Sequence, residues 1–495
     1  MPKKQVYIVG GGIAGMMSAL ILERHDYQVT ILEKSQQLGG RLAYRSNGKY
    51  KIDRGPTVML LPHMHREVFS LAQLDFDQLA ITRCDPAVTI DFADGEKFIK
   101  YSDHEQQKTY FAQHYPEDFV GFEHYLTDMR QLYQQGEKLL LTKPLPTIAS
   151  IMNKPTLQLL KDMQLQQSTR HFLKNYFTND YLLDAYSLQT LYIGGGPTVA
   201  PSLYALIGFS EHEHGVWYLQ GGYAGLVEYL TKKLERRGVK IYYNQTVESV
   251  ERRGKMITKL HTATESFACD HVIFNAEYPK IAPILNQKNK GYTPSNGCVT
   301  IYLGLNRQYP QKAVHSFYLP KNFAILFAKL FKKQQLPQTP AIYVFNPSVI
   351  DDTLAPSGHS SLYILVPVPS QTATIDWDDT QFKHDFVQQI LEQVEQAGFL
   401  GLQTAIEWQE VLTPADCERE GLYRGGSFGI APNLWQSGPF RPQAAIQPFT
   451  NAYAVGASTH PGGGIPVVMQ SAKIACEELL KKDGENANKA SISRM

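Results

Sequence analysis

The chain has 495 residues, a formal charge of only +1, and 48 Lys and Arg dispersed among 47 Asp and Glu. That length predicts two domains sharing an interface, and the dispersed charge excludes the basic stripe of a nucleic-acid binder. Five scattered cysteines with no C-x-x-C pair exclude a disulfide framework or cysteine zinc site and suit a reducing compartment.

Residues 6–9 form an apolar strand pattern running into Gly10-Gly-Gly12-Ile13-Ala14-Gly15, a G-x-G-x-x-G spacing, and residues 16–22 continue as an apolar helix. Gly10 permits the tight turn, Gly12 lets the backbone approach a pyrophosphate, and Gly15 lets the helix pack on its strand. The helix start adds free N–H groups and a positive dipole end. Residues 29–33 return as a strand ending in Glu33, placed to accept from adenosine ribose hydroxyls, with Lys34 next to it. Together these features predict dinucleotide binding. Gly39-Gly40-Arg41 and the loop Asp53-Arg-Gly-Pro56-Thr57 follow. This extension resembles that of the flavoproteins that include amine oxidases and phytoene desaturases. The resemblance implies FAD, with Gly40 and Arg41 near the pyrophosphate and the Pro56-Thr57 loop beside the flavin.

From residue 62 to 214 the composition shifts toward Gln, Tyr, Leu and His, with helical patterns such as 157–177. A helix at 226–237, a strand at 239–243, a hairpin of 247–250 with 257–261, and a buried strand at 270–276 come next. A second lobe-like stretch covers 279–416, and the chain closes on a strand at 452–455, a glycine turn and a helix at 466–480. The expected organisation is a discontinuous FAD-binding domain (1–61, 215–278 and 417–481). A substrate and membrane-facing lobe would be built from 62–214 and 279–416, with a flexible tail at 482–495. The fold class is α/β: a Rossmann-like FAD-binding domain with an inserted α+β lobe. No stretch of eighteen apolar residues occurs, and the first core strand begins by Val6. These points predict neither a spanning helix nor a signal peptide.

The second strong motif is Val455-Gly456-Ala-Ser-Thr459-His460-Pro-Gly-Gly-Gly464-Ile465-Pro466. Pro466 suits a helix's first turn, and such a helix start sets its positive end against anionic charge. With Phe440-Arg441-Pro442 upstream, this motif is similar to the C-terminal signature of bacterial phytoene desaturases. Leu188-Gln-Thr-Leu-Tyr-Ile-Gly194, Pro201-Ser-Leu-Tyr204, Thr413-Pro-Ala-Asp416 and Gly425-Gly-Ser-Phe428 resemble the dehydrosqualene (diapophytoene) desaturase branch. The likeness runs over about residues 5 to 480. It implies an FAD enzyme that introduces successive conjugated double bonds into a linear isoprenoid, expected to be dehydrosqualene, with quinone or oxygen as final acceptor. It also assigns the Val247 backbone to adenine, and Gly456, Gly464, Ile465 and Pro466 to the flavin side. An acid common after the glycine in related FAD proteins is absent, since Ala457 stands there.

Dehydrogenation beside a conjugated triene needs a hydride acceptor and loss of a proton, with alignment and water exclusion as the main demands. No strong base is obligatory; Thr459 and His460 are candidates by position alone. In Glu211-His-Glu-His214 an alternating strand would place both histidines on one face, but no matching ligand cluster accompanies them, and no metal is expected. Phe323, Leu326, Phe327, Leu330 and Phe331 share one helix face flanked by Lys329, Lys332 and Lys333. That pattern suits a helix lying on an anionic membrane, hence a cytoplasmic protein peripheral on the cell membrane with an apolar polyene substrate. The rival readings are a sister enzyme oxidising a carotenoid's end methyl, a phytoene desaturase, an amine oxidase, and a GDP-dissociation inhibitor without redox chemistry.

Overall fold

Two β-sheets organise the computed structural model, which describes residues 3–370 and 375–492. The first is wholly parallel and takes its strands from distant parts of the chain: β1 (Gln5–Val9), β2 (Gln28–Leu32), β3 (Lys240–Tyr242), β4 (His271–Phe274) and β5 (Ala452–Ala454). Their order is β5-β4-β1-β2-β3. Runs such as Val29-Thr-Ile-Leu32 and His271-Val-Ile-Phe274 are buried, as a parallel sheet covered on both faces requires. Helix α1 (Ile13–Glu23) is apolar almost all round. It is buried because the last helix of the described chain, Ile465–Ile492, covers it: Met16, Leu20, Met469, Ala472 and Cys476 belong to one cluster. A three-stranded antiparallel sheet (Ser249–Arg253, Met256–His261, Ser266–Ala268) packs Ile257, Leu260 and Phe267 with Leu32, Val272 and Phe274.

The second sheet has seven strands, drawn from both long insertions. In order they are Ile406–Leu412, Gly297–Leu305, Ser360–Val368, Ile342–Phe345, His315–Leu319, Val88–Phe92 and Lys97–Lys100. All pairs are antiparallel except His315–Leu319 with Val88–Phe92. One face carries Val299, Ile301, Ile364 and Val366 against the helix Thr380–Gln396. The opposite face is aromatic: Tyr302, Phe317, Tyr343, Phe345 and Tyr363 join a helical layer that includes α2 (Pro62–Leu71), α3 (Phe119–Gly136) and α4 (Ala205–His214). Helix α2 bridges the two cores, with Met64 in the lobe and Val68 and Phe69 in the nucleotide domain. Helix α5 (Gly222–Arg236) returns the chain to the parallel sheet, and the closing helix Ile465–Ile492 is α6.

Four expectations are corrected. The helical pattern at 157–177 breaks into Lys154–Asp162 and Thr169–Phe172, because Asn153 and Ser168 each cap a new helix start. Glu211-His-Glu-His214 lies on α4, so the alternating-strand geometry does not arise. The segment from 482, expected to be a flexible tail, continues α6 to Ile492; Asp483 there accepts from Lys4 and Tyr27. The proposed membrane face is internal. Phe323, Phe327 and Leu330 are at most 2% exposed within the lobe's core, and Phe331 packs on Gly196. Leu326 is half-buried, and the large apolar residue of that segment facing outward, beside the exposed Lys329, Lys332 and Lys333, is Ile325. Among the described residues no helix is long and apolar enough to cross a membrane.

Candidate functional site

At the C-terminal ends of β1 and β4 the sheet order reverses, the place where open α/β sheets receive ligands. Gly10 turns there at φ +101°, and a Cβ on it would sit 2.4 Å from the Asn275 carbonyl oxygen. A Cβ on Gly12 would sit 2.7 Å from Asn275 Oδ1, and one on Gly15 2.3 Å from the Gly10 oxygen. The backbone contacts make glycine obligatory at Gly10 and Gly15, and at Gly12 a side chain would have to displace the Asn275 amide. Gly12 offers no side-chain cap to α1, so the first turn, Ile13 and Ala14, keeps unpaired N–H groups for an anion. Asn275, at the end of β4, accepts from Gly15 N at 2.9 Å and donates to the Val455 oxygen, joining three loop ends.

Glu33 is buried at the end of β2. Its Oε2 accepts from Gly11 N at 2.6 Å, and its Oε1 from Ser35. Lys34 donates to the Glu420 carbonyl, just beyond the helix Pro414–Arg419. Val247 is buried against Leu32 and Val272 beside the strand end, where Gln245 N donates to the Glu33 carbonyl. Gly39 N donates to the Gly11 oxygen at 2.8 Å, laying the second glycine pair, including Gly40, onto the first loop. Arg41 forms an ion pair with Glu277, whose other oxygen accepts from Ser458 at 2.5 Å. Glu277 thus supplies, from the loop after β4, a carboxylate beside the position held by Ala457.

Pro56 is half-buried and Thr57 buried at the lobe boundary. Thr57 Oγ1 lies 2.7 Å from the Tyr343 hydroxyl, which lies 2.7 Å from His315 Nδ1. Burial pushes the His315 imidazole down to about 3, so the ring is neutral. Asp53 caps the start of α5, accepting from Tyr223 N at 3.0 Å and Ala224 N at 2.9 Å. Burial raises its carboxyl to about 7 against the pull of those two donors.

The C-terminal turn closes the site. Gly456 has φ +115° and donates to Ser471 Oγ, while Gly464 has φ +95° just before Ile465 and Pro466 open α6. Buried Arg441 donates to the carbonyls of Gln436, Ala457 and Thr459, fixing the turn from beneath instead of forming a salt bridge. His460 Nε2 meets the Lys143 carbonyl at 3.0 Å, and desolvation lowers its pKa to about 4. That histidine stitches the turn to the lobe as a neutral ring. Thr459 Oγ is buried without a partner.

FAD fits this residue set. The uncapped start of α1 faces the loop cluster, Arg41 Nε is buried without a partner, and a Cβ at Gly464 would meet nothing within 4 Å. Asn275, Glu277 and the inward role of Arg441 are the elements that motif reading missed. The one available signal was the polar Asn275-Ala-Glu277 directly after a buried strand.

The chain matches the model of the family of flavin containing amine oxidoreductases over residues 13–480. It is 41% identical to the 4,4'-diapolycopen-4-al dehydrogenase of Metabacillus indicus, covering 99% of each chain. With the 4,4'-diapophytoene desaturase of Staphylococcus haemolyticus it shares 30% identity, covering 96% of this chain and 98% of that one. In fold it resembles an oxidoreductase from Methanosarcina mazei, with a TM-score of 0.66 at 14% identity, covering 96% of this chain and all of the other (100%). Cyclohexylamine oxidase of Brevibacterium oxydans gives 0.61 at 13%, covering 97% and 100%.

Proposed function

From the premise that the chain belongs to the flavin-containing amine oxidoreductases and is an FAD-dependent oxidoreductase, we propose that it dehydrogenates a linear thirty-carbon carotenoid. The observation that carries this reading is the convergence of both glycine turns and the Arg41–Glu277–Ser458 chain under an aromatic lobe. FAD supplies the hydride acceptor. The protein's part is to hold the cofactor's anionic groups at the starts of α1 and α6 and to align the polyene.

Two steps compete within this class. Oxidation of a terminal aldehyde is favoured by the 41% identity with a diapolycopenal dehydrogenase. The Thr57–Tyr343–His315 chain supports it too, as a polar anchor in an otherwise aromatic wall. In that step the hydrated aldehyde would lose a hydroxyl proton and a hydride, the acceptor being the FAD that the glycine turns and Arg41 would hold, to leave the carboxylic acid. Desaturation of diapophytoene, by loss of a hydride and a neighbouring proton, is the second reading, supported by the 30% relative.

FAD-loaded protein in liposomes, given diapolycopenal and diapophytoene separately with quinone or oxygen as acceptor, tests both. A carboxylic acid from the aldehyde supports the first reading, and colour from the colourless substrate selects the second. Failure on both overturns the carotenoid assignment. The membrane contact of this reading lies on the outward apolar cluster Ile148, Met152, Trp435 and Phe440, beside the His460–Lys143 contact.

A further inference from the structure

Three helix ends meet at the start of α2. His63 stands in the first turn of α2, Glu137 directly follows α3, and His214 is the last residue of α4. Glu137 opens a π-turn (Glu137–Leu141), a local rewinding that recurs at functional positions. Each of the three residues offers one ligand atom, and those atoms lie within 4.8 Å of one another. His63 Nε2 is 2.9 Å from Glu137 Oε2, and Tyr133 donates to the same oxygen at 2.7 Å. The two imidazoles lie with centroids 4.5 Å apart, and His214 Nε2 is buried without a hydrogen-bond partner.

We propose that His63, Glu137 and His214 form a binding site for a divalent transition-metal ion, Zn²⁺ by the chemistry of the set. Two imidazoles and one carboxylate match the ligands zinc takes, and the absence of thiolate disfavours softer ions. Metal–ligand bonds of about 2.0–2.2 Å place tetrahedral ligand atoms roughly 3.3 Å apart. The cluster therefore needs to contract by at most about 1.5 Å between any pair to close on that geometry. The His63 side chain, 38% exposed, can supply that movement by a change of rotamer. The fourth position falls to water or the Tyr133 hydroxyl. Because α2 carries Val68 and Phe69 into the nucleotide core, an ion here would clamp the lobe helices to the cofactor domain.

The test uses untagged, FAD-loaded full-length protein stripped with a chelator, titrated with Zn²⁺ by calorimetry and assayed for bound metal. One equivalent should bind to wild type and to the His124→Ala control, with a rise in Tm. His63→Ala, Glu137→Gln and His214→Ala should each weaken binding by at least about tenfold and lose the Tm response. His63→Ala, at the most exposed of the three side chains, serves where the inner variants fail to fold. Absence of binding to wild type, or wild-type affinity in His63→Ala, overturns the site.

Discussion

At the scale of single residues, the most consequential carboxylate is Glu277. Its side chain is 5% exposed and is held between Arg41 and Ser458, while Arg41 is 28% exposed. Removing one partner of such a pair leaves a buried charge uncompensated, at a cost of about 3–5 kcal/mol, here near the lower end because Arg41 reaches solvent. Arg41→Ala should therefore lower Tm and flavin content together. The double variant Arg41→Ala/Glu277→Gln should recover Tm without recovering flavin. An unchanged Tm in the single variant would show that the pair contributes no stability. None of this was legible in the motif. Arg41 was expected at the cofactor, but its partner lies 236 positions away, and only the pairing of β1 with β4 brings the two together.

Among the elements, the segment Phe323–Ala328 with its π-turn Lys329–Lys333 shows what periodicity conveys. Apolar residues at helical spacing announce a face that is buried, but they do not say against what. Here the face fills the lobe's own core, and the lysines are what it leaves outside. The proposed liposome contact is accordingly assigned to Trp435, 72% exposed, and Met152, 61% exposed. Replacing both with Glu should reduce co-sedimentation with anionic liposomes severalfold. Phe327→Ala should leave co-sedimentation intact and cost about 3–5 kcal/mol of stability as a core truncation. Co-sedimentation lost only in Phe327→Ala would return the membrane contact to the helix. The glycine turns were readable because each glycine answers a local steric demand, as Gly10 and Gly12 do against Asn275.

For the whole molecule, buried histidines set the acid limit. His65 and His460 are lowered to about 4 and His315 to about 3 by desolvation, and His212 falls well below its ordinary value. The unfolded chain protonates these rings near pH 6.5 while the folded chain does not, so stability is full above that value and is lost as pH falls toward 4. For His65 alone the loss is on the order of 3 kcal/mol. Asp53 and Asp184, raised to about 7 and about 6, act in the opposite direction, but two carboxyls are outweighed by four imidazoles. Urea midpoints measured from pH 7 to 4 should fall steadily, and less steeply in His460→Asn. A flat profile would contradict the neutral assignment.

The α/β class and the two end motifs were legible because strand, turn and helix alternate within short windows. The seven-stranded sheet was not, because its strands pair across both insertions and no local pattern encodes their order.

The interleaving of β1, β4 and β5 also has a consequence in time. During synthesis β4 has no outer neighbour until Ala452–Ala454 leaves the ribosome, and the turn that starts α6 comes later still. If the turn before α6 holds the flavin as proposed, its capture follows translation through at least Pro466. Until then the nascent protein carries an unpaired strand edge, a feature that favours aggregation.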